Sequence, residues 1–346
     1  MIYSRKQITR AGEVLMSSKS IDERNHALQV INEWRASHIL PLLNRKNSLL
    51  RLMSKNKIES VIASQRLKRL SSIEYKLDLN PSMGLGGMQD VGGYRVVVKD
   101  ADDLRLLYKL INRQRSNHKL LKISDYISKP KSSGYRSVHF IYNYSSTQQR
   151  FKDLKLELQI RTKLQHCWAT AVETVGLITN TSLKSSQGSD NWLQFFKVVS
   201  SLFALKERLP IMELHENLTM KELMVECYNL CEELNVITTL KAINVTINTL
   251  SDKGFPDDYY LIDINFHEMK ISVVQYKKHQ LNFATDDYLE KEKRINSSTN
   301  AVVLVSAKNM RSLKKAYPSY FLDTSEFISA LVGIQANCVK RGYVSS

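Results

Sequence analysis

The 346-residue sequence predicts an α/β (α+β) protein, a β-sheet under helical cover, and three observations carry that expectation. Short alternating apolar–polar runs and helical apolar spacings interleave along the chain. Hydrophobic residues make up 43% and charged residues 24%, so the chain can bury a sizeable core and is neither disordered nor fibrous. Turn formers concentrate at residues 251–258 (SDKGFPDD), which divides the chain into a larger unit, 1–250, and a smaller α/β unit, 251–346.

Each element has a local reason. Ser20 with Glu23 three residues later forms a capping box that opens a helix through about residue 38, and a second helix follows Pro41. Residues 60–67 are β-rich, a short helix lies around 73–77, and the glycine-rich 83–87 is a loop. Residues 94–98 form a buried-strand pattern, and 101–113 an amphipathic helix with Leu104, Leu107, Tyr108 and Ile111 on one side. Residues 136–144 and 154–160 alternate as strands, and 162–175 turns helical. Residues 191–250 read as helices. Beyond 258 come strand patterns at 259–266, 271–276 and 301–306, with helices near 286–295, 307–316 and 325–338.

Charge narrows the function classes. The chain carries 50 Lys+Arg against 34 Asp+Glu, a net +16. Residues 251–346 hold 13 basic and 11 acidic residues, so the first 250 hold 37 and 23 and carry +14 of that excess. A basic excess confined to one part of the chain fits a polyanionic partner such as nucleic acid or nucleotide phosphates. No run of eighteen apolar residues occurs and the start lacks the pattern of a signal peptide, so a cytoplasmic protein without membrane association is expected. The four cysteines make no C-x-x-C pair, and buried free thiols are expected rather than zinc ligands or disulfides.

The chemistry concentrates between residues 60 and 174. Arg66 and Lys68 alternate along a strand and face the same way, and Lys76 projects from the helix that follows. Asp90 opens the strand that holds Arg95. Lys129 and Lys131 precede Gly134 and Tyr135, with Arg136 and His139 beyond. Glu157 and Gln159 point to one face of a strand, and Arg161 follows in register. Each piece alone is ordinary, since an Arg-x-Lys on a strand is usually solvated and a tyrosine after glycine usually packs. Together, several cations, two acids and an aromatic on one sheet face suit a nucleoside triphosphate with Mg²⁺, because lysine meets phosphate as a point charge and carboxylates are hard oxygen ligands.

This ordered set resembles the synthetase region of the RelA/SpoT family, the pyrophosphokinases that include the small alarmone synthetases. The matching stretches are Arg66-Leu-Lys68 with Ser72, Ile73 and Lys76; MQDVGGYRVVV; DYISKPKSSGYRSVH; LELQIRT; and HCWATAVE, within about residues 25–205. The resemblance implies a mixed β-sheet synthetase domain and transfer of the β,γ-pyrophosphate of ATP onto a ribose 3′-hydroxyl. Carried over by position, Arg66 and Arg95 sandwich adenine, and Lys68 and Lys76 neutralise the phosphates. Asp90 holds Mg²⁺, and Glu157 shares it or accepts the hydroxyl proton. Tyr135 stacks on the acceptor base, with Lys131, Arg136, His139 and Gln159 completing the acceptor side. Two departures, Ser124 where many relatives are basic and Ser133 where many have Asn, fall near that side and leave the acceptor open. No His-Asp dipeptide occurs, so the hydrolase domain of the long members is not expected in this sequence.

Three acceptors are open: GDP or GTP, ADP or ATP, and the 3′-terminal adenosine of tRNA. The +14 of the first 250 residues favours tRNA, which needs an extended basic surface. The tail contains Tyr317-Pro-Ser-Tyr320, which resembles the C-terminal, pseudo-zinc-finger-like domain of CapRel-type toxic synthetases fused to their antitoxin. That resemblance implies autoinhibition through Tyr317 and Tyr320, release by a phage protein, and inhibition of translation once released. The competing class is a non-catalytic RNA-binding regulator, against which Asp90 and Glu157 are both present.

Overall fold

The computed structural model describes residues 3–178, 189–245, 258–265, 270–293, 300–307 and 324–344. Three N-terminal helices, α1 (Arg5–Ser17), α2 (Ile21–Ala36) and α3 (Ile39–Lys55), lead into β1 (Ser60–Leu67) and α4 (Leu70–Asp78). A short 3₁₀ turn at Leu85–Gly87, within the expected loop, precedes β2 (Gly92–Val98) and α5 (Ala101–Arg113). Strands β3 (Lys119–Asp125), β4 (Val138–Tyr144) and β5 (Leu154–Thr162) follow, then helices α6 (Lys163–Ile178), α7 (Asp190–Lys206), α8 (Met220–Glu233) and α9 (Val236–Val245). The C-terminal segment supplies β6 (Asp258–Asn265), β7 (Lys270–Tyr276), α10 (Leu281–Lys293), β8 (Asn300–Ala307) and α11 (Ser325–Lys340).

The strands form one mixed sheet in the order β3-β4-β5-β2-β1-β8-β6-β7. β2 and β5 run parallel, and the other described pairs are antiparallel. The C-terminal strands therefore extend the sheet past β1, where Arg66 pairs with Val305. One sheet face is apolar: Tyr94, Val96, Val98, Phe140, Tyr142, Leu156, Leu158 and Ile160 pack with Leu42, Leu49 and Met53 of α3 and Leu104 and Leu107 of α5. Period-two alternation sends the intervening residues, Arg95, His139, Glu157 and Gln159, to the opposite face. A second core joins α6, α7, α8 and α9 with α11, whose Phe327 is fully buried against Phe195, Phe196 and Phe203. A third lies among α1, α2 and α4.

Local chemistry explains the boundaries. Asp100 caps α5 by accepting the Asp102 and Asp103 amides at 3.1 Å each. Pro41 sits in the first turn of α3 rather than before it, at a position where no intrahelical N–H is needed. The helix α1 and strand β3 were not expected. α1 carries a capping box at Ser4 and Gln7 that marks it. β3 is a largely exposed edge strand, KLLKISD, without clean alternation. The boundary expected at 250/251 and the helix expected at 307–316 lie outside the described residues, as do Tyr317 and Tyr320. All four cysteines are buried free thiols.

Phe327→Ala removes the ring that joins α11 to the second core, and we expect it to lower unfolding free energy by about 3–5 kcal/mol. Urea denaturation checks this, and a loss near zero contradicts the packing described.

Candidate active site

The parallel pairing of β2 with β5 aligns Gly93 with Glu157 and Arg95 with Gln159. Antiparallel β1 adds Arg66 opposite Gly93, and Ser64 opposite Arg95. β4 adds His139 opposite Gln159. One row of cation, glycine and carboxylate, Arg66–Gly93–Glu157, thus lies across the sheet face beside a second row, Ser64–Arg95–Gln159–His139. All but His139 line a small cleft formed by Ser64, Gln65, Arg66, Lys68, Asp90, Gly93, Tyr94, Arg95, Glu157 and Gln159. Gly93 leaves the floor beside Glu157 open, for a Cβ there would stand 3.9 Å from its carboxylate.

Two lysines bracket Asp90. Lys68 Nζ lies 3.0 Å from Oδ2 and Lys76 Nζ 2.9 Å from Oδ1. Backbone geometry sets this up, because the Lys68 amide donates to the Val91 carbonyl at 2.8 Å, one residue past Asp90. Burial alone would raise the Asp90 carboxyl, but the two ammoniums hold it below the usual carboxylate range. Burial lowers Lys68, and the charges of Lys76 and Arg66 add to that, against the opposing pull of Asp90.

Glu157 is held from the other side. His139 Nδ1 is 2.9 Å from Oε1, and Gln159 Nε2 donates to Oε2 at 2.7 Å. Burial pushes this carboxyl up and Asp90 nearby pushes the same way. The hydrogen bond and charge of His139, with the Gln159 amide, outweigh them and keep it below its usual range. Tyr135 OH meets His139 Nε2 at 2.9 Å, which gives an ordered chain Tyr135–His139–Glu157. Gly134, at φ 89°, makes the turn that delivers Tyr135, and a Cβ there would crowd Ser200 and Trp168. Lys131 Nζ stands over the rings of Tyr126 and Tyr135, at 4.6 and 5.4 Å from their centroids.

The expected residues divide accordingly. Arg66, Lys68, Asp90, Arg95, Glu157 and Gln159 line the cleft directly, Lys76 joins through Asp90, and His139, Tyr135 and Lys131 follow behind Glu157. Arg136 does not join them. It is enclosed, donating to Ser200 Oγ and to the carbonyls of Ile127 and Pro210, and burial pushes it down to about 10. Two further residues stand beside this set, Tyr126 and the Arg161 that follows Gln159 in register. Tyr126 packs edge-on against Tyr135 and His139, yet the Asp-Tyr-Ile stretch holding it was already in view. Arg161 is buried on the cleft side and donates to His166 Nδ1 at 2.6 Å; burial and the neighbouring charges of Arg95 and Arg66 bring it down to about 9.

The donor set fits magnesium in one mode. Among the described residues no group of three or more His, Cys, Asp and Glu could hold a metal by itself. Two carboxylates on one cleft form a partial oxygen set of the kind that substrate phosphates complete. No helix of the described residues is long and apolar enough to cross a membrane.

Residues 65–175, the segment that builds the cleft, match the family model described as "Region found in RelA / SpoT proteins". The chain is 34% identical over 84 residues to the GTP pyrophosphokinase YjbM of Bacillus subtilis, which is 24% of this chain and 39% of that protein. It is 33% identical over 86 residues to YwaC of the same organism, also named a GTP pyrophosphokinase, covering 24% and 40%. The matches thus span about two fifths of each curated relative. Among solved structures, the small alarmone synthetase 1 of B. subtilis bound to its product pppGpp aligns with TM-score 0.44 and 22% identity, over 50% of this chain and 90% of that one.

The Asp90 shift makes a pH prediction. A carboxyl depressed by folding contributes stability that is complete above its unfolded value, about 3.9, and is lost as pH falls through the folded value. The stability advantage of the wild type over Asp90→Asn should therefore be constant from about pH 5 to 7 and shrink below about pH 4. Thermal melts across that range test it, and an advantage unchanged at acid pH contradicts the two-lysine bracket.

Proposed function

We propose that this chain is an ATP-dependent pyrophosphokinase, a diphosphotransferase of the RelA/SpoT kind, that acts on the 3′-terminal adenosine of tRNA. The observation that carries the reaction class is the cleft itself: Lys68 and Lys76 on Asp90, with Glu157 facing them and Arg66 and Arg95 alongside, inside a RelA/SpoT region. The relatives named GTP pyrophosphokinase support the same class.

In the proposed reaction the acceptor's 3′-oxygen forms a bond to the β-phosphorus of ATP. The bridging Pα–O–Pβ bond breaks on the β side, and its electron pair leaves on AMP. The hydroxyl proton passes to Glu157 and on to solvent. Lys68 and Lys76 turn from Asp90 to the phosphates, where they neutralise charge. Arg66 and Arg95 hold adenine between guanidinium planes, from diagonal positions on β1 and β2, Arg66 opposite Gly93 and Arg95 opposite Ser64. Lys131 and His139 lie on the acceptor side with Tyr135, and Gln159 orients Glu157. Magnesium, when bound, would be held by Asp90 and Glu157 and would supply further neutralisation of the phosphate oxygens. Catalysis of this kind rests on positioning and electrostatics.

The acceptor reading rests on charge. The +14 of residues 1–250 exceeds what one nucleotide needs. Arg45 and Arg115, with His118, Ser48 and Asn117, also line a second, open recess whose lining contains no acidic residue. The second reading, GDP or GTP as acceptor, is favoured by the relatives' names. Control is proposed from sequence: Tyr317 and Tyr320 hold the cleft shut, and a phage protein binding the C-terminal segment releases it, in defence against phage.

Incubation with γ-labelled ATP and either tRNA or GDP decides the acceptor, and label on neither removes the enzyme reading. Asp90→Asn and Glu157→Gln should each lower transfer by about 10²–10³ or more while the fold persists. Full activity in either folded variant overturns the site.

A further inference from the structure

Arg35 of α2 has no solvent exposure, the least of any charged side chain among the described residues, and it bonds the loop that carries Lys68, its own helix and α10. Its Nη2 and Nε donate to the Lys68 carbonyl at 2.7 and 3.1 Å. Its Nη1 donates to Asn32 at 2.8 Å and to Glu292 Oε2 at 2.6 Å, and Nη2 to Glu292 Oε1 at 3.1 Å. Tyr288 completes the cage, accepting from Nη2 and donating to Glu292 Oε1 at 3.0 Å. Glu292 and Tyr288 belong to α10, more than 250 residues along the chain from Arg35.

Glu292 makes one further bond. Its Oε1 accepts the backbone amide of Leu70, the first residue of α4, at 2.8 Å. The residue at the cap position of α4, Arg69, provides no side-chain cap. A carboxylate at a helix N-terminus satisfies an orphan amide and complements the helix dipole. Here that carboxylate comes from the C-terminal segment. The helix it caps carries Lys76, and the carbonyl clamped through Arg35 belongs to Lys68, so one buried carboxylate fixes the backbone of both lysines that hold Asp90.

We infer that Glu292, with Tyr288 and Arg35, is a positioning residue for the phosphate-binding lysines, and that α10 is a working part of the nucleotide site. The lysines' assignment to phosphate rests on the pyrophosphokinase reading above; the clasp does not. It follows that a chain cut before residue 258 loses nucleotide affinity, and that any release of an inhibited state leaves α10 docked.

The test uses the full chain and three variants: Glu292→Ala, Glu292→Gln, and Lys291→Ala as a control that removes only the partly exposed pair with Asp263. Hydrogen exchange of the amides from 70 to 78 reads the clasp without reference to function, and calorimetry with ATP reads its consequence. Glu292→Ala should speed exchange in this segment selectively and weaken ATP binding about tenfold, the lower end of what loss of a supporting hydrogen-bond partner costs at metal sites. Glu292→Gln keeps an acceptor for Leu70 and should recover much of both, and Lys291→Ala should change neither. Should Glu292→Ala fail to fold, Glu292→Gln still has to show faster exchange at 70–74 than the wild type. Wild-type exchange and ATP affinity in the folded Ala variant, or wild-type exchange in the Gln variant, overturns the inference. Absence of ATP binding by the wild type itself overturns the pyrophosphokinase reading and leaves the exchange result to judge the clasp.

Discussion

Charge crowding is the constraint around which this molecule is arranged. Arg66, Lys68, Lys76, Arg95 and Arg161 surround a cleft whose lining holds two carboxylates, Asp90 and Glu157. The strain is visible in the groups themselves: burial and like charges push Lys68 down, and bring Arg161 to about 9. Like charges gathered in a partly dry site oppose folding, and such an excess is relieved when a polyanion enters. Asp90 relieves part of it meanwhile by holding two ammoniums at once.

The fold's task is to hold those cations against their repulsion. Parallel pairing of β2 with β5 fixes Arg95 beside Gln159 and Gly93 beside Glu157. The bond from Lys68 to Val91 fixes the lysine beside Asp90, and Arg35 fixes the carbonyl on the other side of the same residue. A buried ion pair contributes little to net stability, since desolvation of both charges offsets their attraction. Its use here is geometric. Arg35 and Glu292 join α2, the β1–α4 turn and α10 at one point, so the C-terminal segment and the cleft are ordered together.

Much of this was legible in the sequence, for reasons that can be named. Period-two alternation in LELQIRT separates Glu157 and Gln159 from the buried Leu156 and Leu158, and the structure places them so. The capping residue Ser20 and the amphipathic 101–113 marked their helices. What escaped was non-local. Nothing near Glu292 in sequence shows that it caps a helix 222 residues away, because cap signals are read from adjacent residues. Continuity of the sheet from β1 to β8 escaped for the same reason. Arg136 was illegible in another way: a basic residue beside Gly-Tyr reads as a ligand contact, and sequence gives no sign that Ser200 and the carbonyls of Ile127 and Pro210 enclose it. The expectation for Tyr317 and Tyr320 concerns residues outside those described.

The central claim is that Asp90 stores two cations destined for phosphate, and a metal-free binding measurement tests it most directly. ATP is titrated by calorimetry, with EDTA present throughout, into the wild type and into Asp90→Asn. With the carboxylate neutralised, Lys68 and Lys76 are released from their internal partner and face the ligand uncompensated. The account predicts that Asp90→Asn binds metal-free ATP more tightly than the wild type does. Equal or weaker binding by a folded Asp90→Asn would contradict it.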